Sequence, residues 1–340
     1  MHDGMAAARL RLVRILPVLC FALTIGLALG GCGRGRSERA DPVRITALPT
    51  EGAALLYIAD QEGFFRRNDI VVAVADVATP GAGLEAMMQG EADLALIGQS
   101  LVVDRALRGE EIKVIASTSI IFTWRLVGPR SGIDEPVDLT GKRIGLSLGT
   151  GAEYYLSRFL ELRGLDVRKL ILVDLAPSEW VNAVAEGRVD AVMVRGADVV
   201  AIRERIGDEV FVWKVQENQP VFEVLAGRAD WVAENPERVR QVLRALLEAE
   251  DFAVRKPEAA KRIVQNATGM EAAAVDASWP ENHHRLSLTL ALLMAMTGEA
   301  RWMIANRRTG AVSVPDFLDH IYLDGLREVR PRAVNLNPRE

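Results

Sequence analysis

The sequence predicts an α/β protein built from two lobes of like topology. After Asp41 the chain alternates short apolar runs with amphipathic stretches, the pattern of strands and helices in parallel sheets. One strand-and-helix pattern also occurs twice. The chain has 340 residues, 49% of them hydrophobic and 26% charged. It is therefore long enough for two domains and too apolar to be a disordered chain.

The first half is predicted to run strand, helix, strand, helix, strand. Short apolar runs indicate the strands, and amphipathic stretches indicate the helices. These elements are Val43 to Ala47, Ala53 to Gln61, Ile70 to Val74, Leu84 to Gln89 and Asp93 to Ile97.

An internal repeat predicts the same arrangement in the second half. Leu84 to Ile97 aligns with Val181 to Val194, and in both segments a helix is followed by Gly, two residues, Asp and an apolar strand. Upstream, Arg44-Ile45 matches Arg143-Ile144 at a near-identical offset. Two matches in register are less easily explained by chance than one.

The repeat points to four loops as a binding site. In open α/β sheets ligands bind beyond the carboxyl ends of the strands, so equivalent loops of two facing lobes are expected to line one cleft. The loops run from Leu48 to Gly52, Gly98 to Ser100, Leu148 to Ala152 and Arg195 to Ala197. Helix N-termini at such loops favour a small anionic group. Thr50 and Thr150 hold equivalent places, either as N-caps or as ligand donors.

The first 31 residues are predicted to be an export signal that is removed. Three arginines precede an apolar run from Ile15 to Leu29, whose 15 residues are fewer than the roughly 20 that span a bilayer. Leu29-Gly30-Gly31-Cys32 resembles a bacterial lipobox, which predicts lipidation of Cys32. The alternative is an ordinary signal peptide. Residues 32–42 are predicted to be a lipidated tether.

Composition narrows the possible chemistry. A formal net charge of -5 argues against nucleic acid as a partner, because phosphate binding needs clustered cations. Two cysteines, Cys20 and Cys32, cannot form a disulfide framework or a four-thiolate metal site. With four histidines, the chain also has few nitrogen ligands. We therefore expect no metal and no cofactor.

Several short motifs occur in a specific order and spacing. They are Val43 to Pro49, Glu62 to Phe65, Gly90 to Gly98, Asp138 to Ile144, Glu186 to Ala191, Asn235 to Glu237 and Lys256 to Glu258. Together these motifs resemble the nitrate/sulfonate/taurine group of ABC-transporter substrate-binding proteins. The resemblance covers residues 43–264. It implies a two-lobed periplasmic-binding-protein-like fold of type II, with two open α/β lobes joined by two crossing strands.

The resemblance also implies that the first lobe is discontinuous. It would comprise residues 43–127 and 222–330, with residues 128–221 as the second lobe and 331–340 as a polar tail. Trp124 to Val127 and Phe222 to Leu225 are the expected crossing strands. Beyond Gly269 the chain is predicted to be helical.

The function that the resemblance implies is that of a lipid-anchored, extracytoplasmic solute-binding protein of an ABC importer, without enzymatic activity. The chain is expected in the cell envelope, in the periplasm or otherwise outside the cytoplasmic membrane. Its expected partners are the membrane, through the N-terminal lipid, and a permease with its ATPase. We expect a monomer that binds a small anionic or zwitterionic solute of the sulfonate, taurine or nitrate kind. A solute-sensing domain with the same fold is an alternative.

The candidate ligand-binding residues lie in the four loops or on the expected cleft wall. They are Thr50, Glu51, Gly98, Gln99, Ser100, Thr118, Thr150, Gly151, Ala152, Tyr154, Arg195 and Gln219, with Trp180 as a further wall residue. Arg195 is expected either to hold a sulfonate or carboxylate through two parallel hydrogen bonds, or to be solvated or paired with Asp198. Glu51 would then suit the ammonium group of a zwitterion.

One motif favours a different class of protein, an exported serine hydrolase. Gly145 to Gly149 matches the G-x-S-x-G pattern of hydrolases, with Ser147 as nucleophile. A base would come from His283, His284 or His320 downstream, although His283-His284 is also predicted at the start of a surface helix. The motif coincides with the repeated strand-and-loop unit, so a serine at this place needs no catalytic explanation.

Overall fold

The computed structural model describes residues 41–122, 124–216 and 219–337. The predicted export signal, Cys32 and all but the last two residues of the predicted tether lie outside the described residues. The described chain forms two mixed α/β sheets with helices packed on them. Within these ranges, no helix combines the length and apolar character that crossing a bilayer requires.

Strands and helices alternate through most of the described chain. The strands are β1 (Val43–Ala47), β2 (Val72–Asp76), β3 (Leu94–Gly98), β4 (Ile112–Ile121), β5 (Arg125–Pro129), β6 (Arg143–Leu146), β7 (Ile171–Asp174), β8 (Ala191–Val194), β9 (Val210–Lys214), β10 (Val221–Arg228) and β11 (Asn282–Ser287). The helices are α1 (Ala54–Gln61), α2 (Phe64–Arg67), α3 (Pro80–Met88), α4 (Gln99–Leu107), α5 (Gly151–Glu161), α6 (Trp180–Ala185), α7 (Gly196–Ile206), α8 (Ala229–Glu234), α9 (Pro236–Arg255), α10 (Pro257–Thr268), α11 (Ala272–Ser278), α12 (Leu290–Ala305) and α13 (Leu323–Val329).

The two sheets share one arrangement of five strands, to which the first sheet adds β11 at its edge. The first has the strand order β11-β4-β10-β3-β1-β2, and the second has the order β7-β6-β8-β5-β9. In both, a central strand (β1 or β6) pairs in parallel with two neighbours. The next strand, β10 or β5, is antiparallel to the strands on both its sides. The prediction of two α/β lobes of like topology is confirmed.

The chain crosses between the sheets at slightly different places from those predicted. Because β5 pairs with β8 and β9, the chain leaves the first sheet after Ile121 and enters the second at Arg125. The segment Trp124 to Val127 thus belongs with the second sheet, and a boundary at residue 127 would cut through β5. The amino-acid composition of this segment does not show which of the two sheets it joins, since a buried strand is apolar in either sheet. The chain returns between Lys214 and Val221.

An Arg–Asp pair recurs at the same place in each lobe. The backbone N–H of Arg44 donates to the Asp93 carboxylate at 2.8 Å, and that of Arg143 donates to Asp190 at 2.7 Å. Each guanidinium also donates to its aspartate, at 2.9 Å and 2.8 Å respectively. It donates as well, at 2.9 Å, to the carbonyl of the glycine three residues before that aspartate. The pair joins the start of the central strand to the start of its parallel neighbour, β3 or β8.

Each sheet has its own hydrophobic core. In the first, the apolar stripe of α9, including Val239, Val242 and Leu246, is buried. In the second, the close packing of β6 requires a glycine, because a Cβ on Gly145 would lie 2.5 Å from a methyl carbon of Leu175.

The C-terminal part differs from the prediction in two respects. The segment Asn282–Ser287 forms strand β11 on the edge of the first sheet beside β4, so His283 and His284 lie on a strand and not at a helix start. The predicted polar tail packs onto this lobe, where Ala333 and Leu336 are buried. In both cases contacts with the rest of the lobe determine the structure of the segment, although its polar composition favours an exposed position.

Helix α12 is attached to α4 through a buried carboxyl group. Gln99 donates from Nε2 to Glu299 at 3.1 Å, and its Oε1 accepts from the backbone N–H of Phe222 at 2.7 Å. Burial raises the pKa of Glu299 to about 7, although hydrogen bonds from Ser100 and Gln99 favour the charged form. This carboxyl therefore takes up a proton more readily in the folded protein than in the unfolded chain.

Asp93→Asn and Asp190→Asn should each lower the free energy of unfolding by about 1–2 kcal/mol, because a set of charge-assisted hydrogen bonds becomes neutral. Urea denaturation at neutral pH measures the change. Asp60→Asn, at an exposed position of α1, is the matched control and should change little. Equal stability of all four proteins would contradict a stabilising role for the pairs.

Glu299→Gln should stabilise the protein at high pH only. The pKa of Glu299 is raised on folding, so its carboxyl lowers the free energy of unfolding as pH rises from about 4.5 through about 7. The neutral variant should be more stable than the wild type by about 1–3 kcal/mol at about pH 8, with no such gain at about pH 5. Urea unfolding at both pH values measures this. The exposed Glu62→Gln is the control, and a pH-independent difference between Glu299→Gln and the wild type would contradict the assignment.

Candidate functional site

All four predicted loops contribute to one pocket between the two sheets. The pocket encloses about 210 Å³. Its wall includes residues that directly follow the central strands, Leu48 after β1 and Ser147 after β6, and residues at the ends of their neighbours, Gly98 of β3 and Arg195 after β8. The prediction that these loops line one cleft is confirmed. The space equals roughly seven water molecules' share of liquid volume, which suits a small solute.

Arg195 connects the two sheets across this pocket. Its guanidinium donates to Glu223 Oε1 at 3.0 Å and to Thr50 Oγ1 at 3.1 Å, both on the side of the first sheet. We call these three residues the interlobe bridge. The side chains of Arg195 and Glu223 are 13% and 10% exposed. The side chain of Arg195 does not pair with Asp198: only the backbone N–H of Arg195 donates to the Asp198 carboxylate, at 3.1 Å. The Arg195 guanidinium pairs with Glu223 instead.

Three carboxyl groups line the pocket, at Glu51, Asp198 and Glu223. Glu51 is 2% exposed, and its Oε1 has no hydrogen-bond partner in the described structure. Burial and the nearby charge of Glu51 raise the pKa of Asp198 to about 6. Burial lowers the pKa of Arg195, but the carboxylates around it, Glu223 above all, outweigh burial and raise it. Arg195 therefore stays charged.

Two tryptophans supply the flat part of the wall. The rings of Trp124 and Trp180 meet edge to face, with centroids 5.9 Å apart. The Arg195 guanidinium lies 5.9 Å from the centroid of Trp124. The indole Nε1 of Trp180 is buried and has no partner among the described residues. The pocket thus has an apolar face beside its charged groups.

Some of the predicted site residues lie on this pocket. They are Thr50, Glu51, Gly98, Ser100, Thr150, Gly151, Arg195 and the wall residue Trp180. Thr150 is an N-cap: its hydroxyl accepts from the backbone N–H of Ala152 at 3.3 Å and donates to the carbonyl of Ser147 at 2.7 Å. Thr50 makes no side-chain cap, because its hydroxyl belongs to the interlobe bridge.

The other predicted residues lie away from the pocket wall. Gln99 holds Glu299, and Thr118 is buried in β4, where it donates to the carbonyl of Glu223 at 3.4 Å. Ala152 is buried in the hydrophobic core of the second sheet, and Tyr154 and Gln219 line a groove beside α12. Residues of one helical turn face different directions. The position of the loop before α5 therefore does not determine where the side chain of Tyr154, in the first turn of α5, points.

The structure gives no catalytic setting to Ser147. Its hydroxyl donates to the backbone carbonyl of Leu175 at 2.8 Å. His283 and His284 pack against aromatic rings, and His320 bonds a backbone carbonyl. A serine nucleophile needs an adjacent base to accept its proton, and the described contacts of these histidines are elsewhere. Among the described residues, no group of three or more potential ligands is placed to hold a metal ion.

Glu223 and Trp124 are pocket residues that the sequence analysis did not identify as such. Glu223 carried a usable signal, because it is the single charged residue in the apolar run Val221 to Ala226 of β10. A charge inside a buried strand costs free energy unless it is paired, and here its partner is Arg195. Nothing in the local sequence distinguishes Trp124 from a core residue.

Sequence relatives of this chain are distant and include proteins of two kinds. A candidate binding protein of Brucella abortus is 25% identical over 224 residues, which is 64% of this chain and 68% of that protein. The taurine-binding periplasmic protein of Escherichia coli K12 is 23% identical over 227 residues, 65% and 69% of the two chains. The 4-amino-5-hydroxymethyl-2-methylpyrimidine phosphate synthase of Aspergillus parasiticus is 23% identical over 232 residues, 61% and 64% of the two chains.

The fold and the family are both established by comparison. The periplasmic aliphatic sulphonate binding protein SsuA from Escherichia coli superimposes with a TM-score of 0.70, covering 88% of this chain and 94% of that chain at 17% identity. At this identity the likeness shows the fold. A family model described as NMT1/THI5 like matches residues 51–260, more than half of the 340 residues. The chain therefore belongs to the NMT1/THI5-like family and has the two-lobed fold of the periplasmic binding proteins.

Proposed function

We propose that this chain is the extracytoplasmic solute-binding component of an ABC importer, and that it binds a small organic solute between its lobes. The names of the taurine- and sulphonate-binding proteins that it resembles support this proposal. The enclosed pocket between the two sheets supports it independently.

The observation that carries the proposal is that one pocket takes its wall from both sheets. A solute there contacts the Leu48 and Gly98 loops of the first sheet and the Ser147 and Arg195 loops of the second. It makes both sets of contacts only when the lobes are close together. Solute binding must therefore favour the closed arrangement, because a ligand shifts a conformational equilibrium by its difference in affinity for the two states.

The pocket favours binding over chemistry. Ser147 lacks a base, and residues 41–337 contain no cysteine to act as a nucleophile. The pocket's ionisable groups are an arginine and three carboxyl groups, two of which are engaged by Arg195. Although one relative is named as a synthase, the described residues lack a nucleophile–base pair at the site. We propose that the solute is released unchanged to a permease with its ATPase.

The lipobox-like segment adds an anchor to the proposal. An acyl group on Cys32 would keep a monomeric receptor at the membrane surface, since each buried methylene contributes about 0.8 kcal/mol. The Arg- and Gly-bearing residues that follow, which include Arg34 and Arg36, have the composition of the predicted tether. The domain would then lie in the periplasm or otherwise outside the cytoplasmic membrane.

Weakening the interlobe bridge should loosen the lobes. Nitroxide labels at Val71→Cys and Val137→Cys, exposed positions on either side of the pocket, report the interlobe distance by electron–electron resonance once Cys20 and Cys32 are replaced by Ser. Glu223→Gln neutralises one partner of the buried ion pair and should broaden the distance distribution toward longer values. Glu204→Gln, on an exposed part of α7, is the control and should leave the distribution unchanged. A single distance common to all three proteins would argue against lobes that move.

Cys32→Ser should release the protein from the membrane. The thiol is the acceptor of the predicted lipid, so its loss should move the protein from the membrane fraction to the soluble fraction of the cell envelope. Immunoblotting of fractionated cells measures this, and Cys20→Ser is the matched control because Cys20 lies within the predicted export signal. Membrane association that persists in Cys32→Ser would contradict lipidation at this residue.

A further inference from the structure

The charges around the pocket do not match an anionic solute. Among the lining residues that the structure describes, Arg195 is the one cation, and it faces the carboxyl groups of Glu51, Asp198 and Glu223. An anion would gain from one guanidinium and be repelled by up to three carboxylates. Like charges a few ångströms apart repel strongly in a partly buried site, so the carboxylates decide the sign of the pocket.

Arg195 is also engaged in contacts between the lobes. Two of its five side-chain N–H groups are used by Glu223 and Thr50, and the ion pair with Glu223 is largely removed from solvent. An anionic solute that displaced Glu223 from the guanidinium would leave Glu223 buried without its partner. Breaking a buried ion pair in this way is strongly unfavourable. Arg195 therefore serves the interlobe bridge better than it serves a ligand.

Glu51 and Asp198 have no ion-pair partner among the described residues, whereas Glu223 is paired with Arg195. Glu51 is nearly fully buried, its Oε1 is without a partner, and the structure shows no ion pair for either residue in the described ranges. Asp198 uses one carboxylate oxygen to accept the backbone N–H of Arg195 at the start of α7. Two neighbouring carboxyl groups that lack a cation of their own form a site where a bound cation would be stabilised.

The apolar part of the pocket suits the rest of such a solute. Trp124 and Trp180, whose rings meet edge to face, line the pocket, and Leu48, Leu101 and Ile121 are further apolar residues of its wall. Cations are attracted to the faces of tryptophan rings, and more strongly where water is excluded. A flat or short apolar body would be held here while its charged end reaches the carboxylates.

We propose that the pocket selects a small organic cation whose N–H groups bind Glu51 and Asp198 and whose apolar body packs against Trp124 and Trp180. This inference rests on the proposed solute-binding function and replaces the anion expected from Arg195 alone. It assigns Arg195 and Glu223 to the contact between lobes, and Glu51 and Asp198 to recognition of the solute.

A series of probes with one shape and three charges tests the inference. Benzamidinium, benzamide and benzoate share a flat body, so isothermal titration calorimetry with the full-length protein isolates the effect of charge. We expect benzamidinium to bind at least tenfold more tightly than benzamide, and benzoate not to bind. Tighter binding of benzoate or of taurine, or no binding of benzamidinium at millimolar concentration, would overturn the proposal.

Two variants test the named residues. Glu51→Gln and Asp198→Asn keep the shape of each side chain and remove its charge, so each should weaken benzamidinium binding at least tenfold. Glu204→Gln, on the same helix as Asp198 but exposed, should bind like the wild type. Thermal unfolding checks that each variant is folded. Unchanged affinity in both pocket variants would remove them from the site.

The pH dependence gives a further check. Asp198 faces Glu51 and Arg195, and its pKa is raised to about 6. Affinity for benzamidinium should therefore be constant at higher pH and fall as pH decreases through 6, where Asp198 takes up a proton. Asp198→Asn should lose this step, and its persistence there would count against the assignment.

Solute binding and the interlobe distance, measured together, distinguish the cation inference from the proposed solute-binding function. If an anionic solute binds and shortens the distance between the labels on the two lobes, the receptor proposal stands and the cation inference falls. If benzamidinium binds while the lobes stay fixed, the reverse holds.

Discussion

The structure depends on a constraint of connectivity: the first sheet takes one of its inner strands, β10, from the part of the chain that follows the second sheet. Strands β5 to β9 form the whole of the second sheet, and β10, which comes after them, lies inside the first. The first sheet is therefore complete only when the chain has crossed between the lobes twice. The two crossings fix which edges of the sheets face each other, and the loops at the carboxyl ends of β1 and β6 meet as a result. The pocket is a consequence of how the strands are shared.

A buried ion pair between the facing lobes then defines the electrostatics of that pocket. Considered by itself, an arginine that directly follows a strand suits an anion-binding role, a solvated side chain or a pair with Asp198. Paired with Glu223 at 3.0 Å, it neutralises a charge that β10 carries into the interface. What is left over is the negative charge of Glu51 and Asp198. The same arginine thus supports opposite conclusions about the solute, depending on whether its partner is known.

Much of the fold could be predicted because it is encoded locally and twice. The Gly-x-x-Asp spacing and the matching Arg-Ile pairs predicted like lobes, and the loop positions followed from the rule for ligands in open sheets. What could not be predicted depends on contacts between distant residues. Arg195 and Glu223 are 28 positions apart on different sheets, and the edge strand β11 forms only because β4 offers it a partner. The prediction that Tyr154 lies on the cleft wall is wrong for a simpler reason: a loop motif does not determine which way the first turn of α5 faces.

The two Arg–Asp pairs sit at the opposite ends of the strands from the pocket. Each joins two strands through backbone and side-chain contacts near their amino ends, while the carboxyl ends carry the loops that line the pocket. Rigidity and recognition are therefore assigned to separate edges of each lobe. Substitutions in the loops that line the pocket leave the Arg–Asp pairs in place. An architecture divided in this way can alter its pocket by a few replacements at one rim while the opposite edge of each sheet stays the same.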